Sequence, residues 1–167
     1  MFELFRGGAL ILAVLTTGTM TGVFTLYSHT VMPGLGRTDD KTFVASFQSM
    51  DRAILNPLFL PTFVGALVFT GLAAALSFGS ASRSMLPWLI AALVLYLAIV
   101  IITGRINVPL NNAIKAAGDP NTIDVAAVRR NFNEALWTRW NHVRSAACLA
   151  AFVCLIWATV LYGRITA

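Results

Sequence analysis

The chain has 167 residues and a formal net charge of +5, yet only 11% of its residues are charged and 57% are hydrophobic. This composition excludes an ordinary water-soluble domain, in which about a quarter of the residues are charged, and no basic cluster is dense enough for a nucleic-acid surface. The positive charge is more typical of contacts with anionic lipid head groups. We therefore expect an integral protein of a bacterial cytoplasmic membrane that has the bilayer, and not nucleic acid, as its partner.

Four apolar stretches cover residues 7–27, 58–78, 85–103 and 145–162. Each is close to the length of about 20 residues that a helix needs to cross a bilayer. They predict an all-α fold, a polytopic four-helix membrane bundle that forms a single domain over residues 1–167. The first stretch resembles a signal peptide, but it runs on too far and has no small-x-small cleavage site.

The two long connections between spans predict amphipathic helical extensions. In the first connection, Asp39 and Asp40 are suited to cap a helix, and four apolar residues follow at helical spacing: Phe43, Phe47, Met50 and Ile54. The second connection starts with a turn and an Asn or Asp cap, and we expect it to continue as one helix straight into the fourth span. The short link "GSASRS" predicts an antiparallel hairpin of the second and third spans.

The two halves of the chain share an outline. The first span ends in "VMPGL" and the third in "NVPLN", and after each come an acidic turn, an amphipathic segment and another apolar span. This similarity suggests an internal duplication as a hypothesis. Nine of the twelve lysines and arginines lie on the side of the long connections, which the positive-inside rule predicts to be cytoplasmic.

A polar and aromatic stripe precedes the fourth span. Its members recur at helical steps of three and four: Arg130, Asn133, Glu134, Trp137, Trp140, Asn141, Arg144 and Cys148, with Phe132, Leu136 and Val143 off the stripe. Charged and amide groups at membrane depth are costly and usually face a bundle interior or a wet cavity. The alternative is that the tryptophans and arginines only anchor the helix at the lipid interface, which explains Asn141 poorly.

The segment "RINVPLN" places Asn107 and Asn111 on either side of Pro109. The proline should end the helix, and the two amides either satisfy the freed carbonyls or line a cavity. His29 follows the first span on a small, polar face, where it is either a base or ligand or only hydrogen-bonded. Two histidines are too few for an imidazole metal site within one chain, so no metal ligands are assigned.

Three motifs, taken in order along the chain, carry a family resemblance. With "VMPGL", "NVPLN" and "W-x-x-W-N-x-V-R" placed around four spans, the chain resembles the anthrone oxygenase-like family of small four-helix membrane proteins. The resemblance implies that some relatives oxidise polyketide anthrones to anthraquinones with O2. The positions that match the motifs are Pro33, Asn107, Pro109, Asn111, Trp140, Asn141 and Arg144; His29 is not one of them.

The resemblance implies an oxygenase for a flat, apolar, anthrone-like or quinol-like substrate, and the polar stripe is compatible with that chemistry. The candidate catalytic residues are His29 as the base and Asn107, Asn141 and Arg144 as stabilisers of the substrate anion. Trp137 and Trp140 would stack on the substrate, and Asn111 would bind it. The oxidation can proceed with O2 and no further cofactor, and a copper ion or a haem is the alternative. The alternative is a non-catalytic accessory subunit that binds lipid, quinone or haem, and a homo-oligomer or a membrane-complex partner is compatible with either reading.

Overall fold

The computed structural model describes residues 2–79 and 82–166, and every regular element in these ranges is helical. In chain order the α-helices are α1 (Phe2–Leu26), α2 (Met32–Gly36), α3 (Asp40–Ala53), α4 (Phe59–Ala75), α5 (Leu86–Ile102), α6 (Val108–Ala116), α7 (Val125–Phe132) and α8 (Glu134–Thr166). Two π-helical turns, Tyr27–Val31 and Thr103–Asn107, join α1 to α2 and α5 to α6. The predicted all-α class is confirmed.

Three helical segments are long and apolar enough to cross a membrane: Glu3–Gly36, Leu86–Ala116 and Val125–Thr166. The length and the apolar composition of these segments indicate an integral membrane protein. The remaining predicted span, residues 58–78, corresponds to α4, which is apolar but has only 17 residues. The expectation of four equivalent spans is therefore confirmed for three of them.

The four long helices pack side by side, with α1 and α5 each in contact with both α4 and α8. Small side chains line these contacts, and Ala13, Ala73 and Ala92 are fully buried. A Cβ atom on Gly18 would lie only 2.8 Å from the Phe152 ring of α8. In lipid, where apolar burial does not drive association, such close approach of helices supplies the packing energy.

The proline motifs do not end their helices, contrary to the expectation for Pro109. Thr103–Asn107 forms a π turn, and the chain then continues into α6 with Pro109 near its first residue. A proline lacks an N–H group and clashes with the carbonyl four residues earlier, and the wider π turn accommodates both defects. Pro33 follows the π turn Tyr27–Val31 in the same way, which supports the hypothesis of internal duplication.

The amphipathic helix predicted in the first long connection is confirmed as α3. Asp39 caps it, because its Oδ1 accepts a hydrogen bond of 3.0 Å from the Thr42 backbone N–H. Phe43 and Phe47 are buried and pack against Phe132 of α7, with ring centroids 5.7 and 4.5 Å away. This aromatic cluster closes the end of the bundle that carries the long connections.

The continuous helix predicted from the second connection into the fourth span is wrong. Asn133 adopts a left-handed conformation (φ 53°) that ends α7, and its Oδ1 then accepts from the Leu136 N–H at the start of α8. Asparagine tolerates this backbone region better than most residues. The break leaves Arg130 and Asn133 exposed and turns Phe132 into the core, so the predicted stripe begins only within α8.

Candidate active site

A cavity of about 180 Å³ lies where the ends of α1, α4, α5 and α8 meet the short helices α3 and α6. Most of its wall is apolar and includes the aromatic rings of Phe24, Tyr27, Phe47, Phe59 and Phe63. Five of the seven predicted site residues line it: Asn107, Asn111, Trp137, Asn141 and Arg144. The space is thus an aromatic pocket with a few convergent polar groups, the usual character of a small-molecule site.

Arg144 is the most unusual group in this wall. Its side chain is buried, Nη1 donates to Thr103 Oγ1 (3.1 Å), and Nη2 donates to Asn141 Oδ1 (2.8 Å). The guanidinium carbon also lies 4.8 Å from the centre of the Phe24 ring and 5.5 Å from that of Trp137. Across residues 2–79 and 82–166, no carboxylate forms a salt bridge with it. The cavity wall therefore holds a positive charge that forms no ion pair with a carboxylate of the described residues.

Asn141 is held so that its carbonyl oxygen faces Arg144. Its Nδ2 donates to the Phe24 carbonyl (3.0 Å) and to Ser28 Oγ (2.7 Å), which fixes the orientation of the amide. These bonds reach from α8 to the end of α1 and the first π turn. Asn141 is completely buried. The alternative that the stripe only anchors the helix at the lipid interface therefore does not apply to this residue.

Two polar atoms of cavity-lining residues have no hydrogen-bond partner in the described part of the chain. They are Arg144 Nε, a donor, and Asn107 Oδ1, an acceptor, and both are buried. The other end of the Asn107 amide makes only a long bond of 3.4 Å to the Trp137 carbonyl. Buried polar atoms without partners are costly, and they are common where a site is shaped for a ligand rather than for stability.

Asn111 and Asp51 form a second polar group in the cavity wall. Asn111 donates from Nδ2 to Asp51 Oδ1 (2.6 Å) and accepts at Oδ1 from Trp137 Nε1 (2.7 Å). Lys115 Nζ lies 2.6 Å from Asp51 Oδ2. One asparagine of the "NVPLN" motif thus joins a carboxylate of α3 to the indole of α8.

The other two predicted site residues lie outside the cavity. His29 is exposed, with Nδ1 2.6 Å from Thr30 Oγ1, because its neighbour Ser28 takes the position that faces α8. Trp140 is partly buried but does not line the cavity. On α8 the interior positions are Trp137, Asn141 and Arg144, at steps of four and three, and Trp140 is displaced from that line.

Sequence reasoning missed Asp51 and Thr103 in the cavity wall. The signal for Asp51 was present, because it follows Phe47 by four residues and precedes Ile54 by three, which places a carboxylate on the apolar face of α3. Thr103 had no comparable signal, since threonines are common at the ends of membrane helices. Within residues 2–79 and 82–166, no group of three or more His, Cys, Asp or Glu residues could hold a metal ion.

The profile of one protein family, described as anthrone oxygenase, matches residues 56–154, more than half of the chain. This chain belongs to the anthrone oxygenase family. No curated protein and no solved structure matches it significantly. The family resemblance stated from the sequence motifs is therefore confirmed.

The match with the anthrone oxygenase family covers α4 to α7 and two thirds of α8. All five predicted residues that line the cavity fall inside it, whereas His29 and Asp51 precede it. The segment shared with the family thus supplies the positive and amide part of the wall, and α1 and α3 complete the enclosure.

Proposed function

We propose that this anthrone oxygenase family member is a membrane-embedded oxygenase that binds a flat, apolar substrate of the anthrone class in the cavity. The bilayer would be both its solvent and the phase that delivers the substrate. Arg144, Asn141 and Asn107 would stabilise the substrate anion, and Trp137 would contact its rings. Asn111 would hold Trp137 and the Asp51 carboxylate in place through its two side-chain hydrogen bonds.

The observation that carries this proposal is the buried guanidinium of Arg144, which has no carboxylate partner within residues 2–79 and 82–166. Burying a charge away from water costs several kcal/mol in order of magnitude, and neutral hydrogen bonds and two aromatic faces offset that cost only in part. A negative charge that forms on a bound substrate would complete the pair. A fixed cation in a water-poor site is the arrangement that stabilises an anion developing during a reaction.

Anthrone chemistry requires such stabilisation. The central carbon opposite the ketone is acidic because its conjugate base is a delocalised, phenolate-like anion. That anion transfers an electron to O2, and recombination forms a carbon–oxygen bond to a peroxide. Loss of water from the hydroperoxide gives the quinone, so one anthrone and one O2 yield one anthraquinone and one water. The negative charge is carried largely by the ketone oxygen, which is the atom that Arg144 would contact.

The test is an assay of anthrone oxidation by the purified protein in lipid nanodiscs. The reaction is monitored by O2 uptake and by the absorbance of the anthraquinone product. Arg144→Gln should lower kcat/KM by about 10²–10³-fold, as does removal of other oxyanion donors. Arg139→Gln is the matched control, because Arg139 is an exposed arginine of the same helix that does not line the cavity. Equal activity of both variants would contradict the proposal, and so would wild-type protein that binds anthraquinone but never oxidises anthrone.

A further inference from the structure

We propose that Asp51 is the proton acceptor that ionises the substrate, a role that rests on the proposed function and replaces the one predicted for His29. Asp51 lines the cavity and is 9% exposed. It lies on the apolar face of α3, where a carboxylate without a role would be unfavourable. Aspartate carboxylates are among the side chains that serve as general bases in proteins.

The carboxylate is held in place but keeps free acceptor capacity. Oδ1 receives one hydrogen bond from Asn111, and Oδ2 receives one from Lys115, each at 2.6 Å. An ionised carboxylate has about four lone-pair sites, so each oxygen can accept a further proton. Lys115 also neutralises the local charge, which limits repulsion between the carboxylate and the substrate anion that proton transfer creates.

Asp51 and Arg144 line the same cavity and are connected through Trp137 and Asn111. The Trp137 ring lies next to the guanidinium, while its Nε1 donates to the amide that holds Asp51. The two charged groups therefore belong to different parts of one cavity wall. In an anthrone the ketone carbon and the acidic carbon lie on opposite sides of the central ring. In the proposed pose the ketone oxygen faces Arg144 and the ring system lies along Trp137, so that the acidic carbon faces the part of the wall that carries Asp51.

The proposed step is a single proton transfer. The C–H bond at the central carbon breaks, its proton moves to a carboxylate oxygen of Asp51, and its electron pair delocalises onto the ketone oxygen facing Arg144. After O2 has added, the carboxylic acid returns the proton to the peroxide anion. Asp51 is thereby regenerated, and the overall stoichiometry of one O2 consumed and one water released is unchanged.

The first measurement separates proton transfer from oxidation. Anthrone deuterated at its central carbon is incubated without O2, and loss of deuterium is followed by proton NMR. Wild-type protein should accelerate the exchange above the protein-free rate, and Asp51→Asn should abolish that acceleration. Asp119→Asn, which alters an exposed carboxylate outside the cavity, should leave it unchanged. Exchange that persists in Asp51→Asn would overturn the inference, even if oxidation depends on Arg144.

The second measurement distinguishes catalysis from structural support. General base catalysis contributes about 10²–10⁴-fold, so Asp51→Asn should lower kcat by that order while anthraquinone binds normally. Asp51→Glu should retain part of the activity. The double variant Asp51→Asn/Lys115→Met avoids an unpaired ammonium group and should show the same loss. Joint loss of anthraquinone binding and turnover in both variants would assign Asp51 a structural role instead. Normal turnover in Arg144→Gln would refute the role proposed for Arg144 and not this inference, whereas absence of anthrone oxidation in wild type would refute the proposed function itself.

Discussion

Replacing Arg144 by glutamine should raise the pKa of an ionisable ligand bound in the cavity. A monohydroxyanthraquinone is a suitable probe, because it has the ring system of the proposed product and changes colour when its single hydroxyl group ionises. Beside a fixed cation, the anionic form of the ligand is favoured, so its pKa falls. Burial alone acts in the opposite direction, because it disfavours the anion.

The size of the effect follows from the geometry of the wall. Two unit charges about 4 Å apart attract by about 4 kcal/mol at an effective dielectric constant of about 20. This corresponds to a pKa difference of about 3, at 1.36 kcal/mol for each pKa unit. Arg144 already shares its charge with Thr103 and Asn141 through hydrogen bonds. We therefore expect the bound ligand's pKa to differ between wild type and Arg144→Gln by about 1 to 3.

The assay is a visible-absorbance titration of the bound probe in nanodiscs, with ligand-free nanodiscs and Arg139→Gln as references. Glutamine retains an amide that can replace one hydrogen bond, so the comparison isolates the charge. An identical ligand pKa in wild type and Arg144→Gln would refute the argument that Arg144 stabilises an anion. A higher ligand pKa in wild type than in Arg144→Gln would contradict the argument as well, because a nearby cation can only lower that pKa.

Three further expectations follow from individual residues. His29→Ala should leave anthrone oxidation unchanged in a steady-state assay, because His29 is exposed and does not line the cavity; a large loss would restore it as a candidate base. In thermal unfolding, Gly18→Ala should cost about 1–3 kcal/mol, because the new methyl group would meet an aromatic ring of α8. Gly22→Ala, with open space around it, should gain about 0.5–1 kcal/mol, and equal effects would contradict the packing described. Hydrogen bonds from the Thr42 hydroxyl and backbone lower the pKa of Asp39 below 3.8. The stabilisation of α3 by the Asp39 cap is therefore present above pH 3.8 and is lost as the pH falls through the lowered pKa. The α3 amides should lose protection from hydrogen exchange over this pH range in wild type and not in Asp39→Asn.

The apolar periodicity predicted the helices well, because helix length and face are set locally. For the stripe along α8 and the asparagines of "NVPLN", the sequence left open whether the polar groups lie at the interface or helix end or face inward. The burial of Asn107, Asn141 and Arg144 favours the inward-facing interpretation, since buried amides need partners that lipid cannot supply. The prediction placed Asn107, Asn111, Asn141 and Arg144 in one pocket, and all four line the same cavity. Their roles in chemistry stay predictions.

The failures have specific physical causes. Pro109 was expected to end a helix. A π turn instead accommodates the hydrogen bond that a proline cannot donate, and no local sequence pattern distinguishes these two outcomes. The break at Asn133 depends on a left-handed backbone at one residue, which lets Phe132 reach the aromatic cluster of α3. Asp51 was missed because its significance arises only when α3 folds back over the bundle and meets Asn111 and Lys115. Such long-range pairing is not encoded in a helical repeat.

The central claim is that the cavity binds an anthrone-class ligand with its oxygen on Arg144. A structure of the protein with bound anthraquinone tests this most directly. The account predicts a ligand oxygen within hydrogen-bond distance of the Arg144 guanidinium and the ring system in contact with Trp137. A ligand bound on the lipid-facing surface, or inside the cavity with no oxygen near Arg144, would contradict it.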